Sequence, residues 1–181
     1  MITLTFKPLS ESHFPLLLKW LEAPHVKKWW DRGIAYTLDL VTEKYGDYVK
    51  GYKAVDGAQK PIEAFVICAN NVPVGYIQIY NAYDFPRYKS LTGLPEKLGA
   101  IDLFIGEEKY LGQNIGSQAI SQFSQQNANR FSHIFVDPDV HNIAAIRTYE
   151  KAGFKKISIQ QEPDTIWMIL KSDLTKRGLI S

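Results

Sequence analysis

The stretch Asn142-Ile143-Ala144-Ala145-Ile146-Arg147-Thr148-Tyr149-Glu150-Lys151-Ala152-Gly153-Phe154 has the marks of a helix with defined ends. Asn142 stands at its start, where a short polar side chain can cap free N–H groups, and Gly153 stands where a left-handed C-cap is favoured. Tyr149 lies seven residues after Asn142, nearly two turns on, so both side chains share one face. Either residue has an ordinary explanation, Asn142 as an N-cap and Tyr149 as a core aromatic whose hydroxyl finds a partner. Upstream, Ala100 to Ile105 reads as an apolar strand interrupted by one carboxylate, Asp102, and Leu111 to Ser117 as a glycine-containing turn opening another helix.

The rest of the chain limits what such a segment can serve. With 181 residues, 45% hydrophobic and 13% aromatic, the chain suffices for one sizeable core, and a single domain over residues 1–181 is expected. Ala64 to Ala69 and Ile101 to Ile105, among the longest apolar runs, fall far short of the roughly 20 residues needed to span a bilayer. The amino terminus has no basic segment followed by an apolar one, so a soluble cytoplasmic protein without membrane partners is expected. Cys68 is the only cysteine, which excludes an intramolecular disulfide and a Cys-rich metal site. A net charge of +2 and a pI near 8.5, with Lys and Arg dispersed, give no reason to expect nucleic acid. His13, His25, His133 and His141 lack metal-ligand spacing, so no metal is expected.

Periodicity orders the elements. Ile2, Leu4 and Phe6 alternate as a strand, and Ser12 to Glu22 forms an amphipathic helix through Phe14, Leu17, Leu18 and Leu21. A second helix over Thr37 to Val49 precedes a turn at Asp56-Gly57, and strands Ile62 to Ala69 and Val74 to Tyr80 form a hairpin about Asn70-Asn71. Asn81 to Leu98 is irregular, a length of loop that is usually functional or mobile, and part of a substrate pocket is placed there. Then follow a strand over Ala100 to Ile105, a helix over Gly116 to Asn127, a strand over His133 to Val136, a helix over Asn142 to Ala152, and strands Phe154 to Ile159 and Thr165 to Leu170. The order is β-α-α-β-β-β-α-β-α-β-β, an α/β (α+β) arrangement with a mixed central sheet flanked by helices.

The turn Leu111 to Ser117 brings successive backbone N–H groups to a helix amino terminus, which suits a pyrophosphate. On glycine content alone it is equally an ordinary strand-to-helix turn.

Taken together, these parts resemble the GNAT superfamily of acetyl-coenzyme A dependent N-acetyltransferases. The element order matches along essentially the whole chain, and residues 142–154 are similar to the second cofactor motif of that family. The family turn runs Gln or Arg, two variable residues, Gly, one variable residue, then Gly or Ala; here Leu111 and Asn114 take the first and fourth places. Asn tolerates positive φ better than most residues, so the turn survives, and the departure bears on cofactor affinity. The resemblance implies acetyl-coenzyme A as cosubstrate, with its thioester along Phe104 and Ile105, its pyrophosphate on Gln113, Asn114, Ile115, Gly116 and Ser117, and further contacts from Asn142 and Tyr149. It implies direct attack by the amine, with Tyr149 as the acid for the departing thiolate. A route through Cys68 is disfavoured, because Cys68 sits in an apolar run without an activating neighbour.

Within that superfamily the chain is similar to aminoglycoside 6'-N-acetyltransferases at His25 to Trp30, Gly75 to Gln78, Ile101 to Phe104 and Val136 to Pro138. A rigid polycation with many hydroxyls is best held by carboxylates and hydrogen-bonding side chains. By that resemblance Asp102, Asp137 and Asp164 form an acidic floor. Asp102 binds the reacting ammonium and accepts its proton, Trp29 walls the sugar site, and Tyr45 and Gln78 line it. Asp84 joins them only by allowing a gap. Asp102 has the firmest physical basis, since a charge in an apolar strand must face a cleft, water or a cation; the plain alternative is an outward-facing carboxylate. Asp137-Pro138 and Pro163-Asp164 are also ordinary turn starters, and Tyr45 is equally a core residue. Two other functions stay open: acetylation of a different amine or hydroxylamine, such as a siderophore precursor or protein terminus, and noncatalytic acyl-coenzyme A sensing. Monomer and homodimer are both compatible.

Overall fold

A computed structural model of the protein describes residues 2–87 and 89–172. The strands are β1 (Leu4–Pro8), β2 (Tyr52–Val55), β3 (Ala58–Ala69), β4 (Val72–Asn81), β5 (Leu98–Ile105), β6 (His133–Val136), β7 (Lys155–Gln160) and β8 (Thr165–Lys171). The helices are α1 (Phe14–Leu21), α2 (Pro24–Lys27), α3 (Leu38–Val49), α4 (Ile115–Gln126) and α5 (Ile143–Lys151). The sheet order is β1-β3-β4-β5-β6-β8-β7, with β2 paired to β3. The β5–β6 pair is parallel, while β1–β3, β6–β8 and β7–β8 are antiparallel, so the sheet is mixed as the sequence predicts. Packing divides the chain into two compact units. The first runs to Ile79 and resumes over Asp102–Ile115; the second comprises Tyr80–Ile101 and continues from Gly116.

In the first unit, α1 buries Phe14, Leu17, Trp20 and Leu21, and α3 buries Val41, Tyr45 and Tyr48. The first helix begins later than predicted, at Phe14 after a 3-10 turn over Glu11–His13. Pro15 is the reason: without an N–H it fits the first helical turn and would disrupt an interior. The single-turn α2 and the strand β2 are additions to the predicted order. Asp56 and Gly57 both take positive φ, 49° and 78°, closing a tight hairpin that pairs Val55 with Ala58 and Tyr52 with Pro61. β3 therefore starts four residues before the predicted Ile62. Asn70 and Asn71, at φ 48° and 66°, make the next hairpin where the sequence predicts it. Gly75 is required by packing, because a Cβ there would lie 2.4 Å from the Phe104 carbonyl oxygen.

The second unit is centred on Ala82, Leu91, Leu98, Ala100, Phe135 and Trp167. The irregular segment after Asn81 is anchored: a 3-10 turn over Ala82–Asp84 is capped by the Asn81 side chain, and Tyr83 Oη donates to the carbonyls of Leu94 and Pro95. Leu91 drops into the core at 6% exposure. Helix α5 ends in a Schellman motif: Gly153 has φ 99°, its N–H reaches the Glu150 carbonyl, and the Phe154 N–H reaches the Tyr149 carbonyl. The accompanying apolar contact is Tyr149 against Phe154, with ring centroids 5.5 Å apart.

Candidate active site

In the first unit, alternation along β4 puts Tyr76 and Gln78 on one face of the strand. Tyr76 Oη donates to Gln78 Oε1 at 2.7 Å, and Gln78 Nε2 donates to Asp102 Oδ2 at 2.8 Å. A carboxylate accepts only, so this chain of bonds fixes which end of the Gln78 amide faces Asp102. Tyr76 is fully buried and Gln78 nearly so, whereas Asp102 is partly exposed. The neutral amide fixes the carboxylate without cancelling its charge, which leaves Asp102 able to receive a cation.

An aromatic cluster surrounds this chain of bonds. The Tyr76 and Phe104 rings stack at 5.5 Å, and Trp30 stands edge-on to Phe104 at 4.9 Å and to Tyr76 at 5.9 Å. Trp30 Nε1 donates to Tyr45 Oη at 3.1 Å. It is Trp30, rather than the Trp29 named by resemblance, that enters the cluster; Trp29 carries Lys28 and Arg32 at 5.0 and 4.9 Å from its ring centroid. Tyr45, expected by resemblance to line the sugar site, has 0% exposure and meets the cluster through its hydrogen bond with Trp30. Tyr48, which sequence reasoning passed over, lies beside Asp102: burial raises its hydroxyl above the ordinary tyrosine range, and the Asp102 charge raises it further. Burial also raises the Tyr45 and Tyr76 hydroxyls, which stay neutral, Tyr45 accepting from Trp30 and Tyr76 donating to Gln78. His25 Nε2 lies 2.9 Å from the Ile105 carbonyl oxygen, which ties α2 to the end of β5.

The turn before α4 has the predicted conformation. Gly112 and Asn114 take φ 73° and 62°, so Asn114 occupies the left-handed region that the family fills with glycine. Leu111 is 43% exposed. Gln113 is tied back by its amide, which donates to the Lys109 carbonyl at 2.6 Å. Helix α4 begins at Ile115, and Ser117 is buried. Gly116 also has a packing role, since a Cβ there would come within 3.2 Å of Thr148 Cγ2 on α5.

In the second unit, Asn142 caps α5, its Oδ1 accepting from the Ala145 N–H at 3.2 Å. Tyr149 is 8% exposed and is fixed by the Schellman motif through both carbonyl and ring. Asp137 forms an ion pair with Arg87 Nη1, and the Arg87 guanidinium lies 4.8 Å from the Phe135 ring centroid. These two residues line a cleft of about 230 Å³ with Lys89, Glu162 and Trp167. The Val140 N–H reaches the Asp164 carbonyl and the Ile166 N–H the Pro138 carbonyl, which brings Asp137 and Asp164 to neighbouring backbone segments. The Asp164 side chain is exposed, and Asp84 is half-buried in its 3-10 turn. Arg87 escaped sequence reasoning because it lies 50 residues from Asp137 in a segment without periodicity. Cys68 is fully buried, and burial raises its thiol above the ordinary range. Among the described residues, no group of three or more His, Cys, Asp or Glu is placed to hold a metal ion, and no helix is long and apolar enough to cross a membrane.

The chain is 27% identical over 165 residues to the aminoglycoside N(6')-acetyltransferase type 1 of Klebsiella pneumoniae, covering 90% of this chain and 79% of that protein. It is 31% identical over 97 residues to an N-alpha-acetyltransferase of Saccharolobus solfataricus, covering 52% of this chain and 58% of that one. Among solved structures, the aminoglycoside acetyltransferase AAC(6')-Ib in complex with coenzyme A superposes with a TM-score of 0.79 at 25% identity, over 93% of this chain and 95% of that chain. The same enzyme with ribostamycin and coenzyme A gives 0.82 at 24% identity over 99% of both chains, a likeness of fold. The model of the acetyltransferase (GNAT) domain matches residues 10–161, which run through both compact units, and the chain therefore belongs to the GNAT acetyltransferase family.

Proposed function

We propose that the protein acetylates the 6'-amino group of aminoglycosides, using acetyl-coenzyme A and acting as one catalytic domain. The observation that carries this reading is Asp102, a partly exposed carboxylate in an apolar strand, fixed by the neutral Gln78 amide and bounded by aromatic rings. A rigid ammonium-bearing sugar needs such a fixed charge together with apolar ring faces.

The residues before α4 fit the cosubstrate. Gly112 and Asn114 turn the backbone so that N–H groups at the start of α4 can receive a pyrophosphate, with Gln113 to Ser117 supplying the donors. Phe104 contributes through its backbone, since its ring belongs to the aromatic cluster. Asn142 uses Oδ1 as a cap, so contact with the cosubstrate falls to its Nδ2 donor. Acetyl-coenzyme A supplies an acetyl group activated as a thioester.

Asp102 binds the acceptor ammonium and takes its proton, giving a neutral amine; the nitrogen then forms the C–N bond to the acetyl carbon as the C–S bond breaks. Tyr149 donates its hydroxyl proton to the departing thiolate, the nitrogen of the new C–N bond gives its second proton to solvent to become the neutral amide, and solvent reprotonates the Tyr149 phenolate; the Schellman motif holds that ring in place. Cys68, buried and with its thiol raised, takes no part.

A second reading, acetylation of a less highly charged amine, is favoured by one observation: Asp137 is already paired with Arg87. Thiol release from acetyl-coenzyme A across a panel of kanamycin-like and simpler amines, with product regiochemistry, tests both. Acetylation at the 6'-amine is expected. Turnover confined to simpler amines would select the second reading, and no turnover above the no-amine background would overturn both.

A further inference from the structure

The second unit carries a cation where the resemblance calls for an acidic floor. Arg87 comes from the irregular segment after β4, lies over the Phe135 ring at 4.8 Å, and pairs through Nη1 with Asp137. The two side chains are only 15% and 28% exposed, so water screens the pair weakly. The surrounding cleft of about 230 Å³ adds Lys89 and Glu162, giving two cations and two carboxylates, and Trp167 as an apolar wall. Such a cleft has no net negative charge with which to attract a polycation.

We propose that Arg87 is a built-in competitor for Asp137 and thereby determines which acceptors the protein takes. An acceptor ammonium that approaches Asp137 meets a carboxylate whose charge is already shared with a guanidinium seated on an aromatic ring, and competes with it for Oδ2. Weakening this contact costs Arg87, whose side chain is only 15% exposed, an ion pair, and that penalty falls on every acceptor that reaches for Asp137. Acceptors with several ammonium groups are therefore bound less tightly than the acidic floor alone would allow, and amines of low charge are not penalised. This inference rests on the acetyl-transfer reading for its physiological meaning, but Arg87 and Asp137 can be tested by binding alone.

The test is calorimetric binding of kanamycin to the protein saturated with coenzyme A, at low and high salt. Arg87→Gln is expected to tighten binding about tenfold at low salt, a gain that shrinks as salt rises. Arg87→Lys, which keeps the charge, should stay within about twofold of the unaltered protein. Asp137→Asn should change binding less than about twofold when Arg87 is present and should abolish the gain when combined with Arg87→Gln. Unchanged or weaker binding by Arg87→Gln would overturn the proposal, as would the absence of kanamycin binding to every variant. Thermal unfolding checks that Arg87→Gln is folded. If it is not, Asp137→Asn alone decides: a tenfold loss of affinity overturns the competitor role, and a change within twofold upholds it. Failure of the acetyl-transfer reading registers separately, as no thiol release with any amine.

Discussion

Asp102 and Asp137 are carboxylates of the same expected kind, and their surroundings give them opposite characters. Asp102 is held by a neutral amide, itself fixed by the buried Tyr76 hydroxyl. Asp137 is held by a guanidinium. A neutral donor orients a carboxylate and leaves its charge to act on a ligand, whereas a cation uses that charge within the protein. Two aspartates expected alike from the sequence thus differ in the donor that holds them, a neutral amide for Asp102 and a guanidinium for Asp137.

Replacing both aspartates in parallel tests the contrast most severely. Asp102→Asn should lower kcat/KM about 100- to 1000-fold, the scale of losing a positioned base and ammonium ligand. Asp137→Asn should change kcat/KM by less than about threefold while costing about 1–2 kcal/mol of stability, because the ion pair with Arg87 is lost. Equal losses in the two variants would dissolve the distinction. Tyr149→Phe keeps the ring contact and the backbone of the Schellman motif, so kcat should fall about 100-fold with acceptor KM unchanged and thermal stability retained. A fall in both kcat and stability would make Tyr149 a packing residue.

Gln78→Leu probes the donor itself. Loss of its amide leaves the Tyr76 hydroxyl without an acceptor in the core, a cost of about 1–3 kcal/mol, and frees Asp102 to turn, raising acceptor KM about tenfold. Unchanged KM would show that Asp102 needs no orientation. The smallest effect concerns His133 in the second unit, whose imidazole is held below its ordinary value of 6.5 by burial first and the Lys171 charge second. The unfolded chain then takes up the proton more readily than the folded one. This contribution to stability is complete above pH 6.5 and is lost as the pH falls through the lower folded value. Thermal unfolding of His133→Gln should show a flatter decline on the acid side than the unaltered protein, and parallel curves would remove the assignment.

Much of the fold is legible from local chemistry. Asn70-Asn71, Asp56-Gly57 and Gly153 mark their turns because few residue types tolerate positive φ, and each takes it. β2 was not legible, since Tyr52–Val55 and the polar start of β3 make a ribbon with little apolar alternation. The helix start at Phe14 depended on Pro15, a constraint that periodicity ignores. In the candidate site, Asp102 stood out as a charge in an apolar strand. Trp29 and Trp30, being adjacent, offered no local means of choosing which ring turns inward. Arg87 was hidden for a different reason, since an ion pair between distant segments has no signature in either one.

The single thiol opens a practical route to motion. Cys68 lies fully buried in β3, so at neutral pH it should ignore thiol reagents on the timescale on which a surface cysteine reacts. A cysteine placed at exposed Leu111 or Ile143 would then be the one labelled position in an otherwise native chain. Dyes or spin labels at those two places would report on the turn before α4 and the first residue of α5 as ligand is added, with no background to subtract.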